Sequence, residues 1–100
     1  MAFVVSWTAP ARGDVHDARR YYDAIDLRLD AALIEQLLRS ERLLGENPFM
    51  YPIVDQDLRR APLRRFPYAL FYLVEDDEVI VVALMHHRRR RLARDELVRA

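Results

Sequence analysis

The groups in this chain best suited to chemistry are guanidinium and imidazole. Arg59-Arg60 with Arg64-Arg65 form one basic cluster, and His86-His87-Arg88-Arg89-Arg90-Arg91 form a second. If the strand carrying the first pairs near the end of the strand carrying the second, both meet at one edge of a sheet. There they would focus a positive field that suits phosphate or an acidic peptide. The alternative is a solvated surface with scattered charge pairs. All sixteen cations are arginine and none is lysine. A guanidinium stays protonated at any working pH, so it can clamp an anion but hardly act as a base. Proton movement would fall to His86 or His87, because imidazole titrates near neutrality. The two histidines are adjacent, point to opposite faces in a strand and cannot share a metal ion. No phosphate loop, nucleophile elbow or paired-carboxylate site stands in the sequence, so neither metal nor cofactor is expected. Tyr21, Tyr22, Tyr51, Tyr68, Tyr72 and Trp7 are of the type that stacks on bases, but such residues more often pack a core or its rim.

The elements that position these groups follow from periodicity. Phe3-Val4-Val5-Ser6-Trp7 reads as a strand stopped by Thr8-Ala9-Pro10. Asp14 is placed to cap a helix in which Val15, Ala18, Tyr22 and Ile25 recur at helical spacing. A second helix, Leu29 to Leu44, sets Leu33, Ile34, Leu37, Leu38 and Leu44 on its inner face, with Gly45 as a left-handed stop and Asn47-Pro48 closing the hairpin. Met50 to Asp57 is irregular. Leu58 to Arg65 reads as a strand interrupted at Pro62, and Tyr68 to Val74 with Val79 to Met85 reads as a β-hairpin around Glu75-Asp76-Asp77-Glu78. Both faces of that hairpin are apolar, Tyr68, Leu70, Tyr72 and Val74 on one and Ala69, Phe71 and Leu73 on the other. A sheet covered on one side only should show a polar face. The helical hairpin covers one face. The other needs a weak C-terminal helix, Leu92 to Val98, or a partner segment.

One hundred residues make a single domain, 1–100, with one core. The uncharged runs are too short to span a bilayer, and no leader is read at the N-terminus, so a cytoplasmic protein is expected. The absence of cysteine agrees with a reducing compartment. Net charge is zero, but residues 13–57 hold ten acids against five arginines, and residues 58–100 hold ten arginines against six acids. The second half is the one that seeks an anionic partner.

Several segments together resemble the RelE/ParE toxin superfamily. These are Trp7-Thr8-Ala9-Pro10-Ala11, Ala18-Arg19-Arg20-Tyr21-Tyr22, Asn47-Pro48, Leu63-Arg64-Arg65-Phe66-Pro67-Tyr68, Phe71 to Asp77, and Val82 to Arg89. The resemblance implies an α+β fold of order β-α-α-β-β-β, a helical hairpin on a small twisted antiparallel sheet with a short C-terminal helix. It implies a type II toxin held by a cognate antitoxin, with Arg64, Tyr68, Phe71, Arg89 and Leu92 meeting that partner. Two activities occur in the superfamily. ParE-like members bind and inhibit DNA gyrase; RelE-like members cut ribosome-bound mRNA without metal. For cutting, Arg59, Arg65 and Arg88 would hold phosphate and His86 would move a proton. The lack of lysine, and of an aromatic hydroxyl after His87, favours the gyrase binder; a non-toxic interaction module is the third reading.

Overall fold

The computed structural model describes residues 2–88 and 93–98. Strand β1 (Val4–Trp7) leads into a helical hairpin, α1 (Ala9–Ile25) and α2 (Leu27–Glu46). After one 3₁₀ turn, Pro48–Met50, come β2 (Ile53–Asp55), β3 (Leu58–Pro62), β4 (Tyr68–Glu75), β5 (Glu78–His86) and the short helix α3 (Arg94–Val98). The strands form one sheet in the order β1-β5-β4-β3-β2. The β4–β5 hairpin is antiparallel as expected. β3 pairs antiparallel with β4 and not with β5, the strand that leads into the second basic cluster; β1 runs parallel to β5, and β2 adds a fifth strand within the segment read as irregular.

Thr8 starts α1. Its backbone is extended and its hydroxyl oxygen accepts from the Ala11 N–H at 3.2 Å, while Pro10 falls in the first turn, where a missing donor costs nothing. This corrects the reading of Asp14 as the cap. Asp14 lies inside α1, and its carboxylate accepts from the Leu84 N–H at 3.0 Å. The cause is the shortness of β1, which ends at Trp7 opposite Val81. Beyond that point the outer edge of β5 has no strand beside it. The Thr8 N–H donates to the Val81 carbonyl at 3.0 Å, the Thr8 hydroxyl reaches the Val82 carbonyl at 3.5 Å, and Asp14 takes the next donor.

Gly45 is also corrected: it stays inside α2 without a left-handed backbone, and Asn47 caps the end. What its missing side chain permits is close approach. The Phe3 N–H donates to the Gly45 carbonyl at 2.8 Å, and a Cβ here would stand 3.4 Å from the Phe3 oxygen.

The two apolar faces are both covered by this chain. Leu33, Leu37 and Leu44 of α2 pack with Leu70, Tyr72, Val79, Val81 and Leu84 on the helix side. On the other side Leu58, Phe71, Leu73, Val82 and Met85 form a second cluster, and Leu97 and Val98 of α3 lie against it. A bulge reconciles β5 with both clusters. Phe71 faces Ala83 and Tyr72 faces Val81, so Val82 has no opposite residue and the alternation shifts there.

Five residues cannot sustain a helix alone, so α3 depends on its docking. Arg94 holds it: its Nε donates to Asp57 Oδ1 at 2.7 Å and its backbone N–H to Asp55 Oδ2 at 2.8 Å. The hydrogen bond from Arg94 holds the Asp57 carboxyl below its usual pKa. A depressed carboxyl stabilises the folded form above its unfolded pKa, near 4, and that contribution is lost as pH falls through the folded value. Amide exchange at Leu97 and Val98, corrected for intrinsic rate, should therefore accelerate below about pH 4. Equal protection at pH values on either side of that range would refute the role given to Asp57.

Candidate functional site

The turn between β3 and β4 builds the basic end of the molecule. Leu63 and Phe66 are buried and plant the turn in the helix-side core, while the Leu63 N–H donates to the Tyr68 carbonyl at 2.9 Å. Anchored on both sides, Arg64 and Arg65 point to solvent, Arg65 in the left-handed region with φ of 71°. The His87 N–H donates to the Pro67 carbonyl at 2.9 Å, which brings the end of β5 alongside.

The histidines part as the strand alternation demands. His86 lies on the helix side with its ring edge-on to Tyr68, centroids 5.2 Å apart. His87 lies on the α3 side, where Arg60 Nη2 meets its Nδ1 at 3.1 Å. A guanidinium can only donate, so His87 Nδ1 stands as the acceptor of this contact. His86 Nδ1 accepts from the Arg88 N–H at 3.0 Å by the same logic. The two basic clusters thus meet at one end of the sheet through Arg60 and His87.

Arg59 does not join them. Its Nη1 donates to the Tyr51 carbonyl at 2.7 Å, and its guanidinium lies 5.2 Å from the Phe49 ring centre. Together with the Tyr72 hydroxyl, which donates to the Pro48 carbonyl at 2.5 Å, it pins the segment between α2 and β2. Burial pushes the Tyr72 phenol up, so it stays protonated and keeps this bond.

Beside His86 opens a cleft of about 220 Å³ lined by Asp14, Asp17, Ala18, Tyr21, Tyr68 and Leu84. Its aromatic wall continues inward from Tyr68 to Tyr22 and Phe66 as edge-to-face pairs. These rings are spent on one another, and burial raises the phenols of Tyr22 and Tyr68. Among the described residues the lining offers two carboxylates and no arginine.

A larger groove, about 470 Å³, was not foreseen from the sequence. It runs between β1 and the helical hairpin, lined by Val5, Trp7, Val15, Ile34, Leu37 and Leu38, with Arg12, Arg19 and Glu41 at its rim. Trp7 Nε1 donates to Glu41 Oε2 at 2.6 Å and fixes the indole as one wall. The outer edge of β1 lies alongside it, with the Trp7 carbonyl accepting from Arg12 Nη1 at 2.5 Å. The N–H groups of Val4 and Thr8 aim at the β5 side, so alternation turns those of Val5 and Trp7 outward. The signal in the sequence was the width of the α2 stripe. Leu38 was placed on the inner face yet is 60% exposed, because the sheet is too narrow to cover it.

The family model of the ParE toxin of the type II toxin-antitoxin system parDE matches residues 5–91. The chain belongs to that toxin family. Two toxin-antitoxin structures are among the solved structures with the same fold. The chromosomal ParDE toxin-antitoxin system from P. aeruginosa aligns with TM-score 0.74 at 15% identity, covering 85% of this chain and 96% of that one. The toxin-antitoxin complex RelBE2 from Mycobacterium tuberculosis aligns with TM-score 0.57 at 23% identity, covering 86% and 99%. Comparison with curated proteins gives no match.

Against this ParE frame, the residues singled out for phosphate chemistry separate. Arg65 and Arg88 are exposed at the basic end, His86 faces the carboxylate-lined cleft, and Arg59 is bound to backbone carbonyls. Of those singled out for a partner, Arg64 is exposed, Tyr68 is half-buried between Tyr22 and His86, and Phe71 is buried beneath the α3 side. Arg89 and Leu92 lie outside the described residues.

Proposed function

We propose that this ParE-family toxin arrests growth by binding DNA gyrase, and that a cognate antitoxin holds it in check. The observation that carries the choice of binder over nuclease is the commitment of Arg59. A metal-free ribonuclease needs cations, a base and an acid converging on one phosphate. Here Arg59 donates to Tyr51, and His86 opens on a cleft lined by Asp14 and Asp17, which is a poor receptor for an anion. A binder has no need of that convergence. For the antitoxin, the support is the β1 edge beside its apolar groove. An extended segment can add there as a strand and drop alternate side chains into the groove.

The test is induction of the toxin alone in cells, followed by purified assays. Growth should stop, gyrase supercoiling should be lost and ribosome-bound mRNA should stay intact. Cleavage of that mRNA, abolished by His86→Ala, would establish the RelE-like activity instead. Unaffected growth would leave an interaction module without toxicity.

A further inference from the structure

β4 begins beside the basic turn at residues 63–67 and ends in the acidic turn at 75–78. Its eight residues set the two turns about 26 Å apart at ~3.3 Å per residue. Among the described residues, most of the charges at both ends have no ionic partner. Arg19, Arg28 and Arg94 each pair with an aspartate, but among the described residues no carboxylate pairs with Arg60, Arg64, Arg65 or Arg88. At the other end Glu78 takes the Ser6 hydroxyl, whereas Glu75, Asp76 and Asp77 are exposed and pair with no cation among the described residues. Asp76 holds a left-handed backbone, φ 53°, which makes the turn a tight convex knob.

We propose that the acidic turn of one copy docks on the basic end of the next, covering that end when no other acidic partner is present. Three observations favour a second copy over a nucleic acid. The formal net charge is zero, so copies do not repel one another at long range and a polyanion feels no net pull. The aromatic rings nearest the arginines are packed edge-on against each other and give bases no platform. An acidic knob is present in the chain itself. The contact is heterologous, so a copy docked by one end keeps its other end available and further copies can add. It rests on exposed pairs, each weak and screened by salt. The inference stands whichever target the toxin has.

Sedimentation of the purified protein at high micromolar concentration tests it. The weight-average mass should at least roughly double at about 0.01 M ionic strength, where the Debye length is ~30 Å, and return to the monomer at about 1 M, where it is ~3 Å. Glu75→Gln/Asp77→Asn and Arg64→Gln/Arg88→Gln, checked for folding by circular dichroism, should each remain monomeric alone. Mixed in equal parts they retain one complementary end each and should form a dimer that grows no further. A wild-type monomer at low salt would overturn the proposal. So would assembly that survives high salt or persists in either variant alone, or tighter uptake of a single-stranded oligonucleotide than of the protein itself.

Discussion

Leu33→Ala should lower the unfolding free energy by about 3 kcal/mol, within the roughly 2–5 kcal/mol span of buried leucine truncations. Leu33 has no exposed surface and stands in the helix-side cluster among side chains of α2, β4 and β5. The cost has two parts: the lost transfer of the removed carbons from water, and the cavity left where neighbours cannot close in. Closure is poor at this site because both sides are fixed, the sheet by its ladder and α2 by the Asp26 and Asn47 caps. For a chain of this size each kcal/mol moves the melting temperature by about 4–8 °C, so a drop of about 12–24 °C is expected. Leu38→Ala is the matched control. It lies on the same helix but is mostly exposed in the groove, so its effect should stay within about 0.5 kcal/mol. Urea denaturation of both variants measures the pair. Similar midpoints would mean that α2 meets the sheet through a different face.

The contrast between these leucines shows what was legible in the sequence. Helical spacing identified α2 and its apolar stripe, but spacing alone does not reveal how wide a sheet waits beneath it. Both were assigned inward, and the structure buries one and leaves the other to line a groove. The hairpin of β4 and β5 was legible because alternation, length and a polar turn agree. Its bulge at Val82 was not, since a run such as Val79 to Met85 is apolar at every step and carries no mark of where the alternation shifts. Asp14 was misread because a carboxylate ahead of an apolar stripe looks like a cap, whereas here it satisfies the edge of a strand seventy residues away. At the site, the sequence had the two basic clusters meet if their strands paired; the structure sets β4 between β3 and β5, and the clusters meet instead through Arg60 and His87. The diversion of Arg59 depends on carbonyls of Phe49 and Tyr51, in a segment whose pattern gave no regular structure.

Leu97→Asp should undock α3 and uncover the second apolar face. The sequence left that face to be closed either by the C-terminal residues or by another polypeptide, and the structure closes it with Leu97 and Val98. Two forces hold α3, and their magnitudes differ. The Arg94–Asp57 pair is well formed, but Asp57 is 59% exposed at its side chain, so water and salt leave it worth little. The apolar contact contributes more, at about 25 cal/mol per Å² removed from water. A carboxylate at position 97 forfeits that contact and must also leave the apolar surface to stay hydrated. The expected loss is about 2 kcal/mol, with α3 detached and the hairpin intact. Binding of an apolar dye should rise, amide protection should fall at Leu97 and Val98, and the far-ultraviolet signal of α1 and α2 should persist. Arg94→Ala should produce a weaker version of the same change. If Arg94→Ala were the more damaging of the two, the ion pair and not the apolar contact would be what keeps the sheet covered.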